Sequence, residues 1–339
     1  MSDQVDRRQV ELASIPEVRL IPVPGPVPED VAVDREGWLV TALRDSGQLL
    51  RVHPETGEIR ELARLDGQPL GVEIFPDGDI LVCNADRGLE RVDPRTGKAR
   101  VLLDRVAGRP LRLCNNAAIA SDGTIYVSES SQAYPLARHR RDLIEDTATG
   151  RLIRLDANGA AEVLLDGLRF ANGVALVPDE SCVLVAETGA CRIQRVWLAG
   201  PERGRIDVFR DRLPGMPDNL STGTDGLVWV AIPAPRHAGL EALHRLPRAI
   251  RRAVAVVADW IDPALPPYFA VMALDVRGEI VHAFRGDPRI YRAVTGVREH
   301  HGRVYLGTIA IAAIATFDRR ERPRSPQSGS QSPLVPLDE

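Results

Sequence analysis

The stretch SDGTIYVSE at residues 121–129 joins a tight Asp-Gly turn to a short apolar run. Glycine accepts the positive φ of such a turn, and the run that follows has the length and composition of a β-strand. The same unit recurs as DREGWLVTA (34–42), PDGDILVCN (76–84), PDESCVLVAE (178–187), TDGLVWVAI (224–232) and HHGRVYLGT (300–308). The chain is therefore built from one repeated supersecondary unit.

The spacing of these units indicates the architecture. Their turn positions, which lie 41 to 76 residues apart, are Gly37, Gly78, Gly123, Glu180, Gly226 and Gly302. Periods of this size with several strands per unit are typical of β-propeller blades. Strand–turn–strand patterns at 51–62, 91–102 and 154–165 predict outer hairpins of three blades. We expect an all-β fold, a six-bladed β-propeller over residues 16–318, with flexible tails at 1–15 and 319–339.

The longest gap between units contains a segment of helical character at residues 238–261. Its apolar side chains recur at helical spacing at Leu246, Ile250, Val254, Val257 and Ile261. The pattern predicts an amphipathic helical insertion that begins or breaks at Pro247. Such helices most often pack their apolar face on a core. A lid over a channel mouth and a contact with a membrane surface are the alternatives.

Composition excludes several classes of function. The chain has 339 residues and a net charge of -4, so no basic excess favours nucleic acid as a partner. It contains neither an apolar run long enough for a transmembrane helix nor a secretory signal pattern, and we expect a cytoplasmic protein without a membrane span. Its four cysteines are expected to be free, with a Cys182–Cys191 bond as the alternative. The oligomeric state stays open.

Oxygen-bearing side chains precede several of the repeat turns. They are Glu29, Asn115, Asn172, Asp218 and Asn219. Equivalent positions in a radial repeat meet at the central channel. Carboxylates and amides packed together are unfavourable unless paired, and a divalent cation would pair them. Oxygen-only ligands favour Ca²⁺, with Mn²⁺, Mg²⁺ and Zn²⁺ as further candidates. The alternative is that these residues only shape turns.

Three strings carry a family resemblance: CNNAAIASDGTIYVSESS (114–131), FANGVALVPDESCVLVAETG (170–189) and LPGMPDNLSTGTDGLVWVA (213–231). They resemble the strictosidine synthase-like branch of six-bladed propellers, whose superfamily includes paraoxonases and the senescence-marker/gluconolactonase hydrolases. The similarity covers roughly residues 20–317. It implies a catalytic divalent ion, usually Ca²⁺, in the central channel. The ligand positions resemble Glu29, Asn115, Asn172, Asp218 and Asn219 in this sequence.

The sequence departs from the family pattern at three positions. Asn116 stands where many relatives have an aspartate, at the place of a second ion. Thr295 takes the place of the glutamate with which strictosidine synthase drives its condensation, and threonine is neither acid nor base near neutral pH. Asn84 stands near the place of the paraoxonase-type histidine. The departure at Thr295 disfavours an alkaloid-forming synthase, and the departure at Asn116 disfavours a second ion.

The resulting hypothesis is Ca²⁺-dependent hydrolysis of a lactone or related ester, a small-molecule substrate whose carbonyl the cation polarises. The resemblance makes Asp218 the candidate general base as well as a ligand. Asn84, His237 and His244 are candidates for substrate binding, the two histidines through the insertion; ordinary surface histidines are the alternative. Two other classes stay open: a non-hydrolytic biosynthetic enzyme of the same group and a non-catalytic propeller that binds a partner.

Overall fold

A computed structural model describes residues 12–15, 17–261 and 266–319. Within these residues, antiparallel four-stranded sheets form six blades around a central axis. Each blade is given from its inner strand, next to the axis, to its outer strand. Blade 1 contains Ala32–Val33, Leu39–Ala42, Gln48–Val52 and Ile59–Arg64. Blade 2 contains Pro69–Ile74, Ile80–Asn84, Gly88–Val92 and Ala99–Leu103. Blade 3 contains Cys114–Ile119, Ile125–Glu129, Gly150–Leu155 and Ala161–Leu168.

The second half of the ring repeats this order. Blade 4 contains Ala171–Leu176, Cys182–Glu187, Arg192–Trp197 and Ile206–Arg210. Blade 5 contains Leu220–Thr222, Val228–Ile232, Ala270–Leu274 and Ile280–Arg285. Blade 6 contains Val294–His300, Arg303–Thr308, Ala313–Asp318 and, from the start of the chain, Arg19–Pro22. Two short pairs lie outside the blades: Arg105–Val106 with Arg109–Pro110, and Gly215–Met216 with Ala234–Pro235.

The six turn markers of the sequence define the ring. Each lies in the turn between the inner and second strands of one blade, and each has a positive φ, between 54° at Glu180 and 94° at Gly78. The left-handed conformation is one that glycine adopts without strain, which is why Gly occupies five of the six turns. The prediction of an all-β, six-bladed propeller is confirmed.

The N-terminal segment closes the ring. Arg19–Pro22 pairs antiparallel with Ala313–Asp318, so blade 6 combines strands from both ends of the described chain. Ala13–Ser14 adds a parallel strand at the outer edge of blade 5, opposite Phe284 and Arg285. Residues 13–14 and Arg319, assigned to tails by the sequence, therefore contact the propeller; Arg319 reaches Asp225 at 3.4 Å. The rest of the predicted tails, 1–11 and 320–339, lies outside the described residues.

The core is divided among the interfaces between neighbouring blades. In the part of the chain that is described, six apolar clusters each combine side chains from two adjacent blades. Between blades 5 and 6, for example, the fully buried Trp229 packs in one cluster with Phe317, and the Phe284 and Phe317 rings lie 5.4 Å apart. Burial of apolar surface at every interface stabilises the closed ring.

Helices interrupt two blades between their second and third strands. In blade 3, a 3-10 turn (Leu136–Arg138) leads into α1 (His139–Glu145), which the sequence pattern did not predict. In blade 5, the predicted insertion forms two helices, α2 (Ala238–His244) and α3 (Arg248–Ile261), which Pro247 separates. A further 3-10 turn spans Thr188–Ala190. Among the described helices, none combines the length and apolarity needed to cross a bilayer.

The orientation of α3 contradicts the most common role of an amphipathic helix. Leu246, Ile250, Val254 and Val257, expected to pack on a core, are exposed, whereas Ala255 on the opposite side is buried. The side chain of Ile261 lies outside the described part. The interpretation of the apolar stripe as a face packed on the propeller rim is therefore wrong, and the stripe faces outward.

Candidate metal centre

The predicted ligand residues lie at the end of the channel where the inner strands begin, which we call the mouth. The pairing register slips between Cys114 and Ala117 in blade 3, and between Ala171 and Val174 in blade 4. Asn115 and Asn172 lie within these two irregularities. A bulge breaks the alternation of a strand and redirects a side chain, which is why bulges are frequent near active sites. The local sequence therefore places an amide at the mouth in each blade.

Neighbouring groups fix the orientation of each amide. The Asn115 side-chain nitrogen donates to Ser130 Oγ at 2.9 Å, and that of Asn172 donates to Thr188 Oγ1 at 3.2 Å. The Asn219 nitrogen lies 3.4 Å from both carboxylate oxygens of Glu29. The Oδ1 atoms of Asn115, Asn172 and Asn219 are buried, and no described residue donates a hydrogen bond to them. Three unsatisfied acceptors in one region require an explanation, since buried polar groups are normally paired.

Acidic groups lie among these amides. Burial and the nearby Asp218 and Asp30 carboxylates raise the pKa of Glu29 well above its usual range. Burial, together with the charge of Asp30, raises the pKa of Asp218 to about 7, and the adjacent Asn172 amide partly offsets the rise. Asp218 is partly exposed, whereas Glu29 is only 4% exposed. The mouth is therefore rich in negative charge that no neighbouring cation neutralises fully.

These groups fit a hard divalent cation. Two carboxylates and three orphaned amide oxygens are the ligand types that Ca²⁺ prefers, and a bound cation would satisfy the acceptors and offset the charge repulsion. Within the described ranges, no group of three or more His, Cys, Asp or Glu side chains is arranged to hold a metal ion. A centre at the mouth therefore depends on asparagine for most of its protein ligands.

The five predicted ligands, which we call the ring residues, are Glu29, Asn115, Asn172, Asp218 and Asn219. A second polar layer lies beside them. Asp30 Oδ2 accepts hydrogen bonds from Asn116 Nδ2 and from the backbone N–H of Val72, both at 3.2 Å. Asn116 Oδ1 accepts from Val174 N at 2.8 Å, so both ends of this amide are used inside the protein. Burial raises the pKa of Asp30 to about 6, although Arg298 opposes the rise. Through these hydrogen bonds, Asn116 links Asp30, just before blade 1, to Val174 in blade 4.

Arg298 supplies an internal cation to this second layer. Its Nε lies 3.3 Å from the carbonyl oxygen of Val31, and its guanidinium pairs with Glu73 on blade 2. The side chain is only 16% exposed, and its charge acts on Asp30 as well. The only signal in the sequence was an arginine directly after the strand start VTGV (294–297), and this role was not predicted.

The three residues predicted to bind substrate have structural partners instead. Asn84 is fully buried; its Nδ2 donates to Asp66 O at 2.7 Å and to Glu90 Oε2 at 2.8 Å, and its Oδ1 accepts from Gln68 N at 3.0 Å. The nitrogen and oxygen of its amide are therefore both used by residues in blade 2 or directly before it. The role of Asn84 in substrate binding stays a prediction.

The two histidines of the insertion serve the helices. His237 is exposed and caps α2, because its Nδ1 accepts from Leu240 N at 3.1 Å. His244 lies between the Leu143 carbonyl oxygen, 2.7 Å from Nε2, and the Arg169 guanidinium, 2.8 Å from Nδ1. Both ring nitrogens of His244 are thus engaged, and burial lowers its pKa. The hydrogen bonds of both histidines go to residues other than the predicted ligands, and their role in substrate binding stays a prediction.

Two threonine hydroxyl groups position the ring residues through hydrogen bonds that the sequence did not predict. Thr295 Oγ1 donates to the backbone carbonyl of Glu29 at 2.7 Å and links blade 6 to blade 1. Thr188 Oγ1 donates to Pro217 O at 2.7 Å while it accepts from Asn172, so it connects two ligand segments. Sequence alone offers no signal for these contacts, because serine and threonine are common throughout the strands.

The fold and the site define a class: six-bladed β-propellers with a ring of buried oxygen donors at the channel mouth. Family models agree with this class. The model described as Strictosidine synthase matches residues 115–201, and the one described as Strictosidine synthase-like, N-terminal, matches residues 16–52. The chain belongs to the strictosidine synthase-like family.

Two relatives illustrate the family. The adipocyte plasma membrane-associated protein of Salmo salar is 33% identical over 295 residues, which cover 84% of this chain and 70% of the relative. Strictosidine synthase-like protein 10 of Arabidopsis thaliana is 31% identical over 274 residues, 76% of this chain and 71% of the relative. Identity at this level across most of both chains establishes common membership of the family.

Solved structures share the fold at lower identity. A gluconolactonase from Xanthomonas campestris superposes with a TM-score of 0.65 at 17% identity and covers 89% of both chains. A calcium-binding protein, regucalcin, from Agrobacterium tumefaciens has a TM-score of 0.64 at 14% identity, with 92% of this chain and 99% of the other covered. These two comparisons concern the architecture alone.

Proposed function

We propose that the protein is a Ca²⁺-dependent hydrolase of lactones or related esters, with its reaction centre at the channel mouth. The observation that carries the proposal is the set of three orphaned amide oxygens, on Asn115, Asn172 and Asn219, beside Glu29 and Asp218. Unpaired buried acceptors and mutually repelling carboxylates are both unfavourable. A cation bound among them would pair the acceptors and reduce the repulsion. The propeller fold shared with a gluconolactonase is compatible with this proposal.

Glu29, Asn115, Asn172, Asp218 and Asn219 would hold the cation. When bound, Ca²⁺ supplies a Lewis acid that polarises an ester carbonyl and offsets the negative charge that develops on its oxygen. The protein contributes a preorganised site, because Ser130 and Thr188 fix two of the amides before any ligand arrives. Preorganised dipoles need no rearrangement during the reaction, which lowers its barrier.

Asp218 is the candidate general base. Part of its surface is accessible, whereas the other four ring residues are at most 5% exposed. An attacking water in the channel could therefore transfer a proton to this carboxylate. A neighbouring cation lowers the pKa of a carboxylate, so Asp218 would act as an ionised, weak base at neutral pH. Its basicity limits the proposal to activated acyl groups such as lactones and aryl esters.

A synthase-type condensation has no support at the site. Thr295, which stands at the place of the family glutamate, donates its hydroxyl hydrogen to the Glu29 backbone and is 2% exposed. It has no proton-transfer role in this position, because its pKa is far above neutrality. The proposed hydrolytic reaction requires only the ring residues, the cation that they would hold, and water.

The test combines metal analysis with turnover. Purified protein is analysed for bound metals, stripped with a chelator, and assayed on a panel of lactones and aryl esters before and after addition of Ca²⁺, Mg²⁺, Mn²⁺ or Zn²⁺. We expect hydrolysis that chelation abolishes and Ca²⁺ restores. Metal binding without turnover on any ester would overturn the hydrolase and leave a structural ion, whereas protein that binds no divalent ion would overturn the metal centre itself.

A further inference from the structure

The apolar side of α3 forms a stripe on the protein surface. Ala255, on the opposite side of the helix, is fully buried. Along this side of α3 the exposed fractions are Ile250 46%, Val254 39% and Val257 54%, and Leu246, two residues before the helix, is 43% exposed. These are four of the fourteen large apolar side chains exposed among the described residues, and they lie within twelve residues. Scattered exposed apolar residues are ordinary, but a contiguous group marks an interaction surface.

Polar contacts set this orientation. Arg251 pairs with Asp146 at 3.2 Å, and Arg252 lies 3.6 Å from Glu145, both at the C-terminal end of α1. His244 adds a hydrogen bond to Leu143 of α1. The helix is therefore held through its arginine side, so that its apolar side is available to something outside the chain. An amphipathic surface helix usually has the reverse arrangement.

Charge identifies the partner. Residues 236–261 contain five arginines and two acidic residues, a net charge of +3 in a chain whose total is -4. Arg245 and Arg248, just before and at the start of α3, are exposed. A second copy of the chain would bring two segments of equal positive charge together, which is unfavourable in a symmetric dimer. The described stripe residues are aliphatic, without the aromatic anchors typical of protein interfaces. An anionic lipid surface matches both features.

We propose that the outward stripe of α3 docks the protein onto an anionic membrane surface, with the helix lying in the plane of the interface. Apolar side chains of such a helix enter the boundary between headgroups and acyl chains, and flanking arginines contact lipid phosphates. α3 has 14 residues and a length of about 21 Å, so it lies on the bilayer. The insertion leaves blade 5 at the mouth end of the ring, so docking places that end next to the membrane.

The experiment is co-sedimentation of the full chain with vesicles. One set contains phosphatidylcholine with roughly 30 mol% phosphatidylserine, and the other contains phosphatidylcholine alone. We expect binding to the anionic vesicles that weakens at high salt, because lipid–arginine attraction is screened. A double variant, Ile250→Glu with Val257→Glu, should reduce the affinity at least about tenfold, since it removes apolar contacts with the bilayer.

Controls separate docking from misfolding and from other partners. Val281→Glu, at a side chain 48% exposed on the outer strand of blade 5, should bind vesicles like the wild type. Far-ultraviolet circular dichroism and thermal unfolding of the double variant and of Val281→Glu should match those of the wild type, because the altered side chains are already exposed. No sedimentation with anionic vesicles, or equal binding by the double variant, would overturn the proposal. So would a concentration-dependent dimer that the double variant abolishes, because the stripe would then bind a second copy.

Discussion

The side-chain amide of Asn219 lies 3.4 Å from both carboxylate oxygens of Glu29, although 190 positions separate the two residues in the chain. Glu29 precedes blade 1 and Asn219 precedes blade 5, so only the closed ring brings them together. The amide donates to a carboxylate that Asp218 and Asp30 both destabilise through their charges. The contact shows that these ring residues share one electrostatic environment.

Removal of the Asp218 charge is expected to separate activity from stability. Asp218→Asn should abolish Ca²⁺-dependent hydrolysis. In chelator at pH 8, it should also stabilise the protein by on the order of 1–3 kcal/mol, since the wild type must ionise a carboxylate whose pKa burial raises to about 7. A raised folded-state pKa means stability that is fully present below the unfolded-state pKa, near 4, and lost as pH rises through 7, so the advantage should be smaller at pH 5 and disappear below about pH 4.

The measurement is urea unfolding at both pH values, together with the ester assay. Asp166→Asn, an exposed aspartate in the outer strand of blade 3, is the matched control and should change neither quantity. A stabilising effect of equal size at pH 5 and pH 8 would contradict the argument from charge.

The orphaned amide oxygens predict a metal-dependent thermal shift. Ca²⁺ at one hundred times its dissociation constant should stabilise the wild type by about 2.7 kcal/mol. Asn172→Ala removes one carbonyl ligand and should lower Ca²⁺ affinity roughly 10- to 100-fold, so that about half of the shift or more is lost at the same concentration. Asn158→Ala, in an exposed turn of blade 3, should keep the full shift. Calorimetric titration with Ca²⁺ measures the same difference directly.

Two buried threonines offer a matched pair. Thr295→Val removes the donor to the Glu29 carbonyl and should cost about 1–2 kcal/mol, with weaker Ca²⁺ binding, because it leaves a buried acceptor unpaired at the ring. Thr316→Val should be neutral or stabilising, because Thr316 Oγ1 is buried without a partner among the described residues. Denaturant midpoints of the two variants provide the comparison. Equal destabilisation by both substitutions would contradict the stabilising role of the hydrogen bond from Thr295 to Glu29.

The internal cation of the second layer is expected to be essential for stability. Arg298→Met leaves Asp30 and Glu73 without their shared positive partner, and breaking a buried ion pair on one side costs about 3 kcal/mol or more. Arg95→Met, at a side chain 85% exposed, should change stability by less than about 0.5 kcal/mol. Equilibrium unfolding in urea tests both variants, and a loss below about 1 kcal/mol for Arg298→Met would contradict the role given to this residue.

All four cysteines are buried and free, which predicts their reactivity. Burial raises the pKa of Cys182 and of Cys191 to about 11, so the reactive thiolate is scarce in the folded protein below about pH 9. Four thiols should react with Ellman's reagent after denaturation without reductant, and few should react before it. Two titratable thiols after denaturation would indicate the Cys182–Cys191 bond instead. The native rate should rise with pH, because deprotonation precedes attack.

The fold was predictable because one local conformation is repeated. Each of the six turns requires a positive φ, and the sequence marks it with glycine or, once, with Glu180. The closing strand Arg19–Pro22 was not assigned to blade 6, because its partner, Ala313–Asp318, is almost three hundred residues away and a local pattern contains no information about it. α1 was missed as well, since HRRDLIE has too few apolar residues to show a helical period.

The candidate site was predictable only in its first layer. Asn115 and Asn172 could be found because they recur at equivalent places before the turns. The role of Asn84 came from the family resemblance instead, and a sequence does not show that such a side chain hydrogen-bonds to neighbours such as Asp66 and Glu90. For α3, the helical period was correct, but periodicity does not reveal whether an apolar stripe faces protein or solvent.

The pairing of Arg19–Pro22 with Ala313–Asp318 also orders events in time. During synthesis, the first of these strands leaves the ribosome with no partner, and it must wait until nearly the whole chain has been translated. Until then Glu29, which follows it by only a few positions, is not held against blades 5 and 6. The nascent propeller is therefore not yet closed and has an unpaired strand edge. Such an edge is prone to aggregation, and chaperones protect chains in this state.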